Sequence, residues 1–141
     1  MPRFSLSRGS RSALPRRIIV VEDDAVLGLA IEDALLEAGA QSVSICPSAS
    51  CTLALLREQS YEAIVLDVQL NDSEQGWEIA ELVQAMGHQN VKIVFQTGNP
   101  DRIPENMREL GPVLTKPYDP AELIEALKKK ASPGLLSLLA R

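Results

Sequence analysis

Long apolar runs are missing from this chain. The stretches at 18–21 and 63–66 are typical of what it has, far short of the ~20 residues a helix needs to cross a bilayer, so no membrane-spanning helix is expected. Cysteine is scarce, two in 141 residues, which excludes a disulfide-built scaffold; Cys46 and Cys51 read as small hydrophobes in a reducing cytosol. Histidine is scarcer: His88 stands alone, matches no zinc-ligand spacing and reads as a surface loop residue. The N-terminal arginines are followed by no apolar run, which excludes a secretory signal. No internal repeat or linker breaks the chain.

What is present is an ordinary globular composition, 45% hydrophobic and 23% charged, in a length that suits one domain. The charge is uneven. Residues 1–17 hold Arg3, Arg8, Arg11, Arg16 and Arg17 and no acid, so residues 18–141 carry −10 against an overall −5. An acidic body is a poor binder of nucleic acid through its phosphates. The basic, serine-rich arm (1–16) reads as a solvated, disordered tail, with a docking arm for an acidic partner or a mis-started end as alternatives. The domain is expected over 17–131, with a leucine-rich tail at 132–141.

From Arg17 on, short β-branched runs alternate with amphipathic stretches. Strands are expected at Arg17–Val21, Ser42–Cys46, 63–66, 91–95 and Val113–Thr115. Helices are expected at 25–38, with apolar positions 27, 30, 31, 34, 35 and 38 on one face, and at 49–59, 77–86 and 120–131. Gly39 should close the first helix in the left-handed region, and 71–76 reads as a loop. Asp119, Pro120 and Glu122 form an N-terminal capping box for the last helix. Lys128, Lys129 and Lys130 suit its C-terminal dipole. Five strands interleaved with helices give an α/β fold, a doubly wound parallel sheet covered on both faces.

Ligands of such sheets bind beyond the carboxyl ends of the strands. Those ends carry Glu22-Asp23, Asp67, Thr97 and Lys116. Carboxylates that converge repel one another unless a cation neutralises them, and Mg2+, a hard ion, takes oxygen ligands. A hydroxyl (Thr97) and an ammonium (Lys116) beside it suit a phosphoryl group, whose charge is spread over three oxygens; a carboxylate there can act as nucleophile and become an acyl phosphate. Taken singly, each residue has a plainer reading. The acidic pair can be helix capping, which Asp24 should provide; Thr97-Gly98 can be a turn, Lys116-Pro117 a loop entrance and Trp77 a packing residue. Their ordered occurrence at four strand ends is what points to phosphoryl chemistry.

Four motifs, I-I-V-V-E-D-D at 18–24, A-I-V-L-D-V-Q-L at 63–70, F-Q-T-G at 95–98 and L-T-K-P-Y at 114–118, resemble the receiver domain of two-component response regulators (CheY-like), over about residues 18–131. The resemblance implies a flavodoxin-like, five-stranded parallel sheet of order 2-1-3-4-5 with five helices. It assigns Asp67 as phosphoacceptor and Glu22, Asp23 and Asp67, with the Gln69 carbonyl, as Mg2+ ligands. Thr97 matches the hydroxyl switch residue and Lys116 the phosphoryl-contacting lysine, with a cis peptide before Pro117.

The chain departs from the common pattern twice. Only 18 residues separate Thr97 from Lys116, and Asn99, Pro100, Pro104 and Gly111 discourage a helix there, so the fourth helix should be short or irregular. Val113 stands where the family carries an aromatic switch residue. F-Q-T-G, Ile103-Pro104 and P-V-L-T-K-P together resemble an atypical subgroup paired with HWE-type histidine kinases. The function implied is a cytoplasmic single-domain receiver, not an enzyme with turnover, that promotes its own phosphorylation and dephosphorylation at Asp67. Its phosphoryl donor would be a sensor histidine kinase or histidine phosphotransfer protein. A pseudo-receiver that never carries phosphate is the alternative. A haloacid-dehalogenase-type hydrolase would need a second acid where Gln69 stands, and a flavin-binding protein would need a phosphate-cradling loop after the first strand.

Overall fold

Four β-branched residues after Arg17 favour an extended chain, and β1 (Arg17–Val21) buries all four. In the computed structural model, which describes residues 14–69, 76–87 and 90–128, β1 is followed by α1 (Ala25–Glu37), β2 (Ser42–Cys46), α2 (Ala49–Glu58), β3 (Ala63–Asp67), α3 (Gly76–Ala85) and β4 (Lys92–Thr97). Two 3-10 turns (Pro100–Arg102 and Glu105–Glu109) then lead to β5 (Val113–Thr115) and α4 (Pro120–Lys128). The strands are all parallel, in the expected order β2-β1-β3-β4-β5.

Period-two alternation along the strands divides the core between the two faces of the sheet. Ile19, Ile64, Ile93 and Phe95 meet Leu56 of α2 and Ile79 and Val83 of α3. Ile18, Val20, Val65 and Val94 meet Ile31 and Leu35 of α1 and Leu123 and Leu127 of α4. The central strands β1, β3 and β4 are buried along nearly all their length, and the site is built at their ends.

Local signals set the helix ends. Asp24 caps α1, its side chain accepting from the N–H of Val26 and of Leu27, and Gly39 (φ +118°) closes that helix as expected. The Asp119 side chain accepts from Ala121 N–H while Glu122 accepts from Asp119 N–H, which is the capping box. The buried stripe of α1 differs from the expected one: Gly28, Ile31 and Leu35 are buried, whereas Ala30 and Ala38 are exposed. Gly28 is the reason, because a Cβ there would lie 3.2 Å from Ile45 Cγ2, so the bare position lets α1 sit against β2.

Where the resemblance implies a fourth of five helices, two 3-10 turns stand instead, anchored by buried Ile103 and Met107. Gly111 brings the chain back onto the sheet so closely that a Cβ would fall 1.8 Å from the Ile93 carbonyl oxygen.

Two expectations are corrected. Packing begins at Leu14, three residues before the boundary expected at Arg17: Leu14 is buried with the α1/α4 face, and the Arg16 carbonyl accepts from Gln41 and Ser42 N–H. The cysteines are not separate small hydrophobes. Cys46 ends β2 and Cys51 lies in the first turn of α2, which brings their Cα atoms to 5.6 Å, and they form a disulfide. The arm before residue 14, most of the loop at 71–76, His88, Lys129, Lys130, the end of the expected last helix and the tail at 132–141 lie outside the described residues. So does the side chain of Trp77. Among the described residues no helix is long and apolar enough to cross a membrane.

Candidate functional site

β1 and β3 run in register from Ile18↔Ala63 to Val21↔Leu66, and Asp67 pairs with Gln96 on β4. One residue past β1, Glu22 therefore stands level with Asp67 and Gln96, on the face that Val20, Val65 and Val94 share. The row is almost closed to solvent: Glu22 is 2% exposed, Asp67 3%, and Gln96 and Thr97 0%.

Glu22, Asp23 and Asp67 each offer a carboxylate oxygen within 4.8 Å of the others. Lys116, delivered by the β5–α4 connection behind a cis Lys116–Pro117 peptide, donates from Nζ to Asp67 Oδ2 at 2.9 Å and to Glu22 Oε1 at 3.0 Å. The backbone N–H of Gln69 donates to Asp67 Oδ1 at 2.9 Å, and that of Asp24 to Glu22 Oε2 at 3.1 Å. Thr97 ends β4 beside Asp67, its hydroxyl accepting from Asn99 N–H at 3.0 Å. The expected residues Glu22, Asp23, Asp67, Gln69, Thr97 and Lys116 thus all fall at one end of the sheet, and Asp24 turns away to cap α1.

Burial lifts the Glu22 carboxyl above the ordinary range, and the charge of Asp67 adds to the rise, against the pull of Lys116 and of Asp24 N–H. At Lys116 burial works against the charge, but the hydrogen bonds to Asp67 and Glu22 outweigh it and hold the ammonium above its usual value. One ammonium against three carboxylates leaves the cluster negative. Its donor set is all oxygen, which fits a hard divalent ion such as Mg2+ and offers nothing to a soft one.

Two residues of the site carried no role in the sequence reading. The fully buried Gln96 side chain donates from Nε2 to Glu22 Oε1 at 3.1 Å and accepts from the Tyr118 hydroxyl. Tyr118 also lines an apolar cleft of about 380 Å³ with Leu27, Ala30, Ile31, Ala34, Lys116, Pro117 and Leu123. Burial, then the charges of Glu22 and Asp67, push the phenol well above its ordinary range, so it stays a donor. The signal for Gln96 was present: an amide closing the apolar run Ile93-Val94-Phe95 is costly unless paired. On the other side of the site, Glu22 N–H donates to the Cys46 carbonyl at 2.9 Å, which ties the disulfide-bearing turn to the acidic pair.

Comparison with known proteins gives the family and the fold. The family model described as "Response regulator receiver domain" matches residues 18–128. The transcriptional regulatory protein PcoR of Escherichia coli is 29% identical over 117 residues, covering 80% of this chain and 50% of PcoR, so the chain spans about half the length of that relative. Solved structures share the fold. A CheY-like receiver domain from Methylobacillus flagellatus superposes with a TM-score of 0.70 at 22% identity, over 87% of this chain and 98% of that one. The response regulator PhyR from Brucella abortus gives 0.73 at 21% identity over 97% of this chain and 56% of PhyR. TrrA from Thermotoga maritima, solved in complex with Mg2+ and BeF, gives 0.70 at 20% identity over 78% and 94%. Sheet order, the acidic cluster beneath a bridging lysine and a family match over most of the chain lead to one assignment: the chain belongs to the response regulator receiver domain family.

Proposed function

We propose that this receiver is phosphorylated on Asp67, taking the phosphoryl group from a phosphohistidine of a sensor histidine kinase or histidine phosphotransfer protein. An Asp67 carboxylate oxygen forms the new O–P bond, the N–P bond of the donor breaks, and the released imidazole takes up a proton. The observation that carries this reading is Lys116 Nζ, 2.9 Å from Asp67 Oδ2 and 3.0 Å from Glu22 Oε1: a fixed cation sits where charge would develop on the transferring oxygens. Glu22, Asp23 and Asp67, with the Gln69 carbonyl, would hold Mg2+, which supplies Lewis-acid neutralisation of phosphoryl charge. Lys116 spares Asp67 the repulsion of its neighbours and then turns to a phosphoryl oxygen, and the Thr97 hydroxyl donates to another.

The domain is a phosphoacceptor with no turnover of a separate substrate; the same residues would position water for loss of the phosphoryl group. A donor charged from ATP places this exchange in the cytoplasm, where Cys46 and Cys51 would meet the thiol pool. The paired 3-10 turns in place of a helix, with P-V-L-T-K-P after them, favour an HWE-type kinase as donor. Incubation with acetyl phosphate, with and without Mg2+, tests the reading by intact mass. Gain of one phosphoryl group only with Mg2+ is expected, and no gain in either condition would leave a pseudo-receiver.

A further inference from the structure

Gln96 is a costly residue for its position. It is fully buried, on the sheet face that Val94 occupies two residues earlier. A buried amide is tolerated only when its donor and its acceptor are both met, and here they are met by residues in different parts of the molecule. Nε2 donates to Glu22 Oε1 at 3.1 Å, within the acidic cluster. Oε1 accepts from the Tyr118 hydroxyl, on the connection between β5 and α4.

Chemistry gives this chain a direction. An ionised Glu22 only accepts, so the amide NH2 must face it; the amide carbonyl then faces Tyr118, and the phenol must donate. Reversing the amide would set its carbonyl against a carboxylate. The Glu22 oxygen that takes Gln96 is also the one that takes Lys116, at 3.0 Å. A ligand that draws Glu22 or Lys116 toward Asp67 therefore changes the bond to Gln96, and bonds in series respond together. Tyr118, at the far end, forms a wall of the apolar cleft with Leu27, Ile31 and Leu123.

Resting on the phosphoacceptor reading, we propose that Gln96 is a positioning residue for the acidic site and that the Gln96–Tyr118 pair conveys the occupancy of that site to the apolar cleft. Gln96 fixes the carboxylate of Glu22, and Tyr118 registers its displacement. Thr97 and Lys116 would meet a phosphoryl group through their own contacts, whereas this relay begins at Glu22 Oε1, the oxygen that Gln96 shares with Lys116.

The test uses the whole chain with 13C-labelled tyrosine. There are two tyrosines in the sequence, and Tyr61, which bonds to Ser44 and Gln59, serves as the internal control. Mg2+ and then beryllofluoride are titrated into the wild type, Gln96→Leu and Tyr118→Phe, with Mg2+ affinity followed in parallel by calorimetry. In the wild type the Tyr118 ring signals should move with each addition while those of Tyr61 stay. Gln96→Leu keeps the shape and cannot bridge; its Mg2+ Kd should rise about tenfold, and at saturating Mg2+ its Tyr118 signals should no longer respond. Tyr118→Phe leaves the half-buried ring in place and removes one oxygen, so it serves if Gln96→Leu fails to fold; its Gln96 side-chain amide signal should shift, and its Mg2+ Kd should rise. A full Tyr118 response in Gln96→Leu, or unchanged Mg2+ affinity in both variants, would overturn the relay. Ligand binding by the wild type without movement of Tyr118 would overturn the relay alone, whereas no binding of either ligand would overturn the phosphoacceptor reading with it.

Discussion

The Lys116 ammonium donates to Asp67 Oδ2 at 2.9 Å across 49 residues of chain, and with the same nitrogen it reaches Glu22. Asp67 is nearly closed to solvent and the lysine side chain is 23% exposed. Removing the lysine leaves buried carboxylates facing one another, so Lys116→Met should destabilise the metal-free domain by about 2 kcal/mol. The pH dependence follows from the raised ammonium. A lysine held above its ordinary 10.5 contributes stability that is complete below that value and is lost as pH climbs through the raised one. Urea unfolding across the alkaline range should show this loss in the wild type and a smaller one in Lys116→Met; equal losses would place the alkaline sensitivity elsewhere.

Asp23 and Asp24 are neighbours with separate work. Asp24 caps α1 through the N–H groups of Val26 and Leu27, so Asp24→Ala should cost about 1 kcal/mol of stability and leave Mg2+ affinity near the wild-type level. Asp23 belongs to the three-carboxylate cluster, so Asp23→Ala should weaken Mg2+ binding strongly. Calorimetric titration beside thermal unfolding separates the two effects. Equal losses of affinity would mean that the acidic pair is misplaced by one residue.

The segment between Thr97 and Lys116 should be the responsive part of the backbone. Its turns are closed by i to i+3 bonds, such as Met107 N–H to the Pro104 carbonyl and Leu110 N–H to the Met107 carbonyl, both 3.0 Å, and its buried anchors are Ile103 and Met107. Few anchors give low local stability. Hydrogen exchange across 98–111 should be fast in the free protein and slower with Mg2+ and beryllofluoride. Protection equal to that of the central strands, or no change with ligand, would remove this segment from the mechanism.

The Cys46–Cys51 bond closes a short loop, with a sequence separation of 5. Chain entropy for a loop of that size gives a stabilisation of about 2 kcal/mol. Dithiothreitol should therefore lower the urea midpoint of the wild type and leave that of Cys51→Ser unchanged. A wild-type midpoint indifferent to the reductant would show that the two sulfurs are not bonded in solution.

Strand positions and the place of Glu22, Asp23, Asp67, Thr97 and Lys116 at strand ends were legible in the sequence, because β-branched runs and polar strand ends leave a strong local pattern; the sheet order followed only from the resemblance of the four motifs to a known family. The capping box at Asp119 and the irregularity of the fourth helical segment were legible for the same reason: capping and proline chemistry act within a few residues. What was not legible depends on distance. Gly28 and Ile45 meet only once α1 packs on β2, and that contact turns the buried face of the helix. Cys46 and Cys51 come together through the β2–α2 turn. The pairing of Gln96 with Tyr118 and Glu22 spans 22 and 74 residues: an amide closing an apolar run signals that Gln96 needs partners, but not which residues they are.

Phosphoryl incorporation from acetyl phosphate with Mg2+, compared by intact mass and peptide mapping between wild type and Asp67→Asn, tests the central claim most directly. The asparagine keeps the shape of the side chain, is a far poorer nucleophile and relieves the crowding of negative charge, so the fold should persist. The wild type should gain one phosphoryl group on the peptide that contains Asp67, and the variant should gain none. Incorporation in Asp67→Asn at the wild-type level would contradict the assignment of Asp67 as the phosphoacceptor.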